Sequence, residues 1–461
     1  MKPFFVKDAV KAVNGRFFGD PAALDARVDS VTSDSRLAGP GSLFVAFKGA
    51  RADGHSFMAD CIRKGAAACI SEREPAGAEE TPCIAVDSSL RAIGALAAWH
   101  RGRFDIPVIG ITGSVGKTTT KEMIASVLEQ RYDTHRTDKN FNNELGVPWT
   151  LLRLDDANQV SVVEMGISSF GEMRRLTAMV RPSVAVFTVI GDSHLEFLGD
   201  RAGVLRAKSE IFEGMGPDGL AVLNGDDELL RGCRPNLRVA TYGLRPDNDV
   251  RAEDVRVDVP ETGYGDSRVR FTVRHPGGAF EAAVPGYVAG PLVYATLAAA
   301  AVGLELGLTE SEIAAGIAAY RAVGDRARVL QFGGVTVISD CYNANPNSMK
   351  AALDALSGME GRRVCILGDM LELGAGADAL HRGVGEYAAA KGIDLTVGCG
   401  PLAKQIAEGA KAAGGEALYF ENKAALLEQL DELIRSGDRV LVKASHSMAF
   451  EEIVERLKNR A

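Results

Sequence analysis

"VIGITGSVGKTTTKEM", Val108 to Met123, decides how the rest of the chain is read. A β-branched apolar run enters a glycine-rich turn, then a lysine and three threonines, and a helix-forming sequence follows. In that order the parts make a phosphate loop. Glycines let backbone N–H groups close around phosphate oxygens, and the N-terminus of the following helix favours negative charge. Lys117 is then set to reach the terminal phosphates, and Thr118 to offer a hydroxyl to Mg²⁺. The nucleotide cradle is the run Thr112, Gly113, Ser114, Val115, Gly116, Lys117, Thr118 and Thr119. Its spacing departs from the commonest form, because Ile111 stands five positions before Gly116 and the nearest earlier glycines are Gly110 and Gly113. Such a loop implies a nucleotide without specifying a reaction.

Outward from the loop, strand and helix alternate from Ile106. "VIGITG", "QVSVVEMG", "SVAVFTVIG" and "GLAVLNGDD" are continuous apolar strands, the mark of a sheet covered on both faces. Between about 250 and 285 the pattern changes to alternation, as in "SRVRFTVRH", which predicts an antiparallel extension of that sheet. After "AYRAVGDRARV" a second series follows: "GVTVISD", "RRVCILGD", "DLTVGCG" and "DRVLVKAS". These predict a Rossmann-like unit without a phosphate loop of its own. Before Ile106, short strands such as "GSLFVAFKG" mix with helices near "FMADCIRKGAA" and "LRAIGALAAWHRGR". The expected fold is α/β in three domains: an N-terminal α/β domain over 1–105, a central phosphate-loop domain with parallel sheet and antiparallel extension over 106–322, and a C-terminal Rossmann-like domain over 323–461.

Composition removes several other classes. A chain of 461 residues should form about two to four domains. A net charge of -9 with 25% charged residues, and no dense basic stretch, makes nucleic acid an unexpected partner. "MKPFFVKDAVKAVNG" lacks the apolar core of a signal peptide, and the weakly charged run Leu292 to Leu304 is too short to span a bilayer and reads as a buried helix. Seven cysteines without a CxxC pair argue against a disulfide framework and a zinc site, so the cytoplasm is the expected compartment.

In parallel sheets, ligands bind beyond the carboxyl ends of the strands. Glu164 ends "QVSVVEMG", His194 follows "SVAVFTVIG", and Lys208 sits in the helical "RAKSEIF". A lone glutamate or histidine at a strand end is usually a cap or a surface residue. In one sheet with a phosphate loop, Glu164 and His194 become candidate ligands for magnesium bridging the phosphates. "DKNFNNELGVP" places Asn140, Asn142 and Asn143 in a loop suited either to hydrogen-bonding a sugar-like ligand or to holding its own turn.

Together "TGSVGKTTT", "NFNNELGVP", "VVEMG", the histidine after "FTVIGDS" and "AKSEI" resemble the Mur ligases, which build the peptide of bacterial cell-wall precursors. "SDSRLAGPGSLFVAFKGARADGHSF", "DCYNANPNSM" and "LGDMLELG" resemble the branch that joins D-alanyl-D-alanine to UDP-N-acetylmuramoyl-tripeptide. The resemblance implies ATP, two Mg²⁺ ions, those two substrates, an acyl-phosphate intermediate, and action as a cytoplasmic monomer. It also implies roles. Gly113, Gly116, Lys117 and Thr118 would hold the β- and γ-phosphates, with Thr118 and Glu164 on one magnesium and His194 on the second. Lys208 matches a lysine that several of these ligases carbamylate, making it an anionic metal partner. Ser35, Arg36, Asn142 and Asn143 would meet the UDP-sugar substrate, and Arg326, Asp340, Tyr342 and Asn343 the nucleotide. The alternatives are a related ATP-dependent ligase with another acceptor, such as a folylpolyglutamate synthase-like enzyme, and a catalytically dead scaffold.

Several positions depart from the family pattern. Leu292, Val293 and Thr296 stand where a histidine and two asparagines are usual near the adenine. Val189 replaces an asparagine, Asp325 a glycine before the arginine, and His446 an arginine. The phosphate and metal positions are intact.

Overall fold

The computed structural model describes residues 1–49, 52–75, 81–324 and 326–459; Ala50 and Arg51 of the first motif, and the departure at Asp325, lie outside the described residues. Three sheets, of five, nine and six strands, follow one another along the chain, with a two-stranded pair, Phe4–Phe5 with Arg27–Val28, beside the first.

The five-stranded sheet runs in the order Arg16–Phe18, Cys83–Ala85, Ala68–Ser71, Ser42–Val45, Ser30–Thr32, parallel except for the first strand. Its helix Ser89–Arg101 starts with the Ser88 side chain accepting the Arg91 N–H and buries Ile93, Leu96 and Ala97. Cys61, Cys69 and Cys83 are buried in this unit, and no disulfide joins any described cysteine.

The nine-stranded sheet is built around the phosphate-loop strand. Its order is Gly278–Pro285, Arg268–His275, Val250–Asp258, Arg238–Gly243, Leu220–Asn224, Val184–Phe187, Val108–Thr112, Val160–Glu164, Thr134–Arg136. The last seven are parallel, and the first two add to Val250–Asp258 as the expected antiparallel extension. The central strands are buried end to end because helices cover both faces, so no alternation survives in their sequence. The alanine-rich run is the buried helix Ala289–Glu305, whose Leu297, Ala300 and Val302 share a core with Ile124, Val127 and Leu128 of the phosphate-loop helix Lys117–Leu128.

The six-stranded sheet has the order Arg328–Phe332, Val335–Asp340, Arg439–Lys443, Arg363–Gly368, Leu395–Cys399, Ala417–Phe420. Only the first strand is antiparallel. It turns back through Gly333 and Gly334, both at positive φ (55° and 75°), the backbone that two-residue hairpins favour and that glycine adopts without strain. Among the described residues no helix is long and apolar enough to cross a membrane.

Candidate active site

The strand Val108–Thr112 lies between Val160–Glu164 and Val184–Phe187, with Glu164 opposite Ile111 and Phe187 opposite Thr112. The phosphate loop, the carboxylate of Glu164 and the segment leading to His194 therefore leave the sheet at the same level. They do so beside the strand from which crossovers run both ways, where open sheets hold ligands.

The loop is shaped by close packing on its neighbour. Gly113 has φ 140°, and a Cβ there would meet Thr188 Oγ1 at 2.0 Å. Thr188 Oγ1 donates to the Val115 carbonyl at 2.6 Å. The Ser114 N–H donates to the Val189 carbonyl at 2.8 Å, and Ser114 Oγ accepts from the Gly191 N–H at 3.0 Å and from Ser193 Oγ at 2.8 Å. Lys117 Nζ donates back to the Gly113 carbonyl at 2.8 Å. Its pKa lies below the ordinary lysine range because of burial, with Glu164 opposing and the Arg326 guanidinium adding to the shift.

Glu164 is buried and held from three sides. Oε2 accepts from Thr118 Oγ1 at 2.8 Å, Oε1 accepts from Asn142 Nδ2 at 2.7 Å, and the backbone N–H donates to Thr137 Oγ1 at 3.0 Å. The Thr137 carbonyl in turn accepts from Nζ of the buried Lys121 at 2.7 Å. Two hard oxygen ligands thus sit together at the start of the phosphate-loop helix. Mg²⁺ binds through one or two protein oxygens plus phosphate oxygens and waters, and this pair fits that habit. Among the described residues no group of three or more His, Cys, Asp or Glu side chains forms a metal cage, so a metal here relies on nucleotide oxygens.

His194 and Lys208 lie beside this pair. His194 has a left-handed backbone (φ 53°), and its Nδ1 is 2.8 Å from Glu372 Oε2 of the C-terminal unit. Burial lowers its pKa, Lys208 and Lys117 add to that, and Glu372 opposes. Lys208, in the helix Arg201–Ser209, is 1% exposed. Burial drives its pKa well below the ordinary lysine value, the Lys117 charge adds to this, and Glu172 opposes. Burial in such a place disfavours the ammonium form of the side chain.

The C-terminal unit closes on the loop. The Arg326 guanidinium lies 3.5 Å from the Tyr342 ring centroid, and His446 stacks on Tyr342 with centroids 5.3 Å apart. Burial raises the Tyr342 phenol above its ordinary range, Arg326 opposes, and Glu164 is near enough to add. Lys443, also buried, donates to Asp340 Oδ2 at 2.5 Å and to the Asn343 carbonyl at 2.8 Å, which fixes the turn that carries Tyr342.

The structure thus gathers Lys117, Thr118, Glu164, Asn142, His194 and Lys208, with Arg326 and Tyr342 over them. Ser35 and Arg36 make their bonds within the first unit: Lys64 Nζ donates to the Ser35 carbonyl at 3.0 Å, and Arg36 binds Asp34 through Nε (2.9 Å) and Nη2 (2.6 Å). Asn143 serves its own turn, its Oδ1 accepting from the Leu145 and Gly146 N–H groups at 3.2 and 2.9 Å. Leu292, Val293 and Thr296 are all buried, and Thr296 Oγ1 has no hydrogen-bond partner among the described residues. Glu372 escaped the sequence reading although it lies inside the quoted "LGDMLELG". Its partner belongs to another domain, which no local pattern reports.

Known families and structures match the chain along its length. Residues 27–101 match the model described as Mur ligase family, catalytic domain; 111–303 match the Mur ligase middle domain; and 325–446 match the Mur ligase, glutamate ligase domain. The chain is 35% identical to the UDP-N-acetylmuramoyl-tripeptide--D-alanyl-D-alanine ligase of Bacillus subtilis (strain 168), over 98% of each chain. It superposes on a crystal structure of MurF from Acinetobacter baumannii with a TM-score of 0.90 at 31% identity, covering 100% of this chain and 99% of that one. On MurF ligase from Thermotoga maritima in complex with ADP the TM-score is 0.82 at 28% identity, covering 94% and 98%.

Proposed function

This chain belongs to the Mur ligase family, and on that premise we propose that it joins D-alanyl-D-alanine to UDP-N-acetylmuramoyl-tripeptide at the expense of ATP, releasing ADP and phosphate. The observation that carries the reading is the convergence of Lys117, Thr118, Glu164, His194 and Lys208 beneath Arg326 and Tyr342. It is supported by similarity over the full chain to ligases of that name.

A carboxylate is a poor acyl donor at neutral pH, because its leaving group would be oxide. Transfer of the γ-phosphoryl group of ATP to the terminal carboxylate of the tripeptide gives an acyl phosphate. The free amine of the dipeptide then attacks its carbonyl carbon, the C–N bond forms, phosphate leaves, and the amine proton is lost. Little covalent chemistry falls to the protein, which positions the reactants and neutralises charge. Gly113, Gly116, Lys117 and Thr118 hold the β- and γ-phosphates. Arg326, Asp340, Tyr342 and Asn343 meet the nucleotide from the opposite side. Thr118 and Glu164 would hold one Mg²⁺, and His194, with Lys208 as a carbamate, would hold a second; such ions would supply positive charge to offset that of the phosphates. The carbamate forms when the neutral Lys208 amine adds to the carbon of CO₂ and loses a proton. Asn142, Asn143, Ser35 and Arg36 contact the UDP-sugar substrate. A cytoplasmic location, where ATP is available, and a monomeric state complete the proposal.

Phosphate release tests this directly. With ATP and Mg²⁺ present it should require both UDP-N-acetylmuramoyl-tripeptide and D-alanyl-D-alanine. Release with neither substrate would make the protein a simple nucleotidase, and release with another amino acid in place of the dipeptide would assign a different acceptor.

A further inference from the structure

A trans peptide points its carbonyl and the N–H that follows in opposite directions, so holding one aims the other. In the phosphate loop the Val115 carbonyl is held: Thr188 Oγ1, just past the strand Val184–Phe187, donates to it at 2.6 Å. The Gly116 N–H of the same trans peptide is thereby turned away from Thr188, and it meets no acceptor among the described residues. We propose that Thr188 is a positioning residue for the phosphate loop, its hydroxyl locking the Val115–Gly116 peptide so that the Gly116 N–H stays available to a nucleotide phosphate. The inference rests on the reading of Gly116 and its neighbours as the group that holds phosphate.

The loop cannot hold this peptide by itself. Gly116 sits at φ 84° and ψ -4°, and glycine takes positive and negative φ with similar ease. Turning the Val115–Gly116 peptide over would bring Gly116 to negative φ and put a carbonyl oxygen, which repels phosphate, where the N–H now points. Crowding does not prevent that, since a Cβ at Gly116 would meet nothing nearer than Thr188 Cβ at 3.9 Å. Nor does a cap: Gly116 is the N-cap of the helix Lys117–Leu128 and no side chain bonds there. Thr188, by contrast, is fixed. It is buried, its N–H donates to the Thr112 carbonyl at 3.0 Å, and its carbonyl accepts from Asn224 Nδ2 at 2.8 Å. Its β-branched side chain has little rotamer freedom. Gly113 leaves the hydroxyl room, because a Cβ there would lie 2.0 Å from Thr188 Oγ1. A chain of bonds therefore runs from Asn224, at the end of the neighbouring strand Leu220–Asn224, through Thr188 to the Val115 carbonyl.

The test uses the full chain with Mg²⁺ and a non-hydrolysable ATP analogue, whose affinity is measured by calorimetry. Thr188→Val keeps the shape and removes the donor; Thr188→Ala removes it by another route, so the comparison does not depend on one variant folding. Each should weaken the analogue about ten-fold, the scale of one hydrogen bond. Thr188→Ser, which keeps the donor, should bind as the wild type does. Gly116→Ala, strained at φ 84°, should also weaken binding. Combined with Thr188→Val it should be no weaker than alone, because both act through one peptide. In ¹⁵N-glycine spectra, the amide signal that Gly116→Ala removes should move on binding in the wild type and in Thr188→Ser, and move less in Thr188→Val. If Lys117→Ala binds the analogue as tightly as the wild type, the phosphate-loop reading itself fails. If Lys117→Ala weakens binding while Thr188→Val and Thr188→Ala leave it unchanged, if Thr188→Ser is as weak as Thr188→Val, or if the Thr188→Val and Gly116→Ala losses add in full, the positioning role is wrong.

Discussion

Thr118 Oγ1 donates to Glu164 Oε2 at 2.8 Å, tying the first turn of the phosphate-loop helix to the end of the adjacent parallel strand. The bond matters because both oxygens are magnesium-type ligands, and because the remaining carboxylate oxygen is occupied by Asn142 Nδ2 at 2.7 Å. Glu164 therefore links the nucleotide end of the site to the asparagine loop. Glu164→Gln keeps the shape and removes the charge. It should lower the rate of phosphate release by about 10²-fold or more, as for loss of an electrostatic group at a phosphoryl-transfer centre, and raise the Mg²⁺ concentration needed for half-maximal rate. An unchanged Mg²⁺ dependence would remove Glu164 from the metal site.

Lys117 rests on the Gly113 carbonyl at 2.8 Å, within the loop it is meant to serve. Lys117→Ala should cut turnover by about 10³-fold with little change in melting temperature, since the side chain clamps phosphate rather than packing a core. A loss of less than about ten-fold would return the loop to a structural role.

How much of this was legible in sequence follows from how local each feature is. The phosphate loop and Glu164 were readable because strand, turn and helix are contiguous, and the register that pairs Glu164 with Ile111 follows from parallel neighbours of equal length. The three-residue strand Thr134–Arg136 was not, having no apolar run to mark it. Asp226, in the quoted "GLAVLNGDD", carries no local signal of a role, yet it accepts from the Leu244 and Arg245 N–H groups, Asn248 Nδ2 and Tyr294 Oη, partners that only the fold brings together. Glu372 belongs to the same class. Its meaning depends on His194, and side chains that meet across domains leave no periodicity in either segment.

Acid should destabilise the protein through two histidines whose pKa burial lowers. His100 is fully buried, its Nε2 3.0 Å from the Leu154 carbonyl. Burial holds its pKa down at about 4, and burial does the same for His135, also to about 4. Both start from 6.5 in the unfolded chain. Between pH 6.5 and 4 the unfolded state thus binds more protons than the folded state, so stability falls as pH falls through that window, by up to about 3 kcal/mol per group. His100→Gln keeps a donor for the Leu154 carbonyl and cannot titrate. The drop in melting temperature between pH 7 and pH 4.5 should shrink in this variant; a drop equal to the wild type's would show that His100 is not held neutral.

Lys208 presents the sharpest conflict between stability and function. It is 1% exposed, its pKa is driven far down by burial and by Lys117, and Glu172 is the only opposing charge among its causes. The unfolded chain keeps the proton up to the ordinary lysine range, while the folded site surrenders it well below. Stability should therefore rise with pH across that interval, and a neutral apolar side chain should be better tolerated here than lysine. Lys208→Met is expected to raise the melting temperature while cutting turnover severely, the pattern of a residue kept for chemistry at a cost in stability. If the working form is the carbamate, ¹³CO₂ should add a carbonyl carbon signal to the wild type that is missing from Lys208→Met. In the smaller Lys208→Ala variant, acetate or formate entering the vacated space should restore part of the activity. A Lys208→Met enzyme with near-normal turnover, or a wild type that takes up no ¹³CO₂ at this position while fully active, would show that Lys208 acts as an uncarbamylated buried amine.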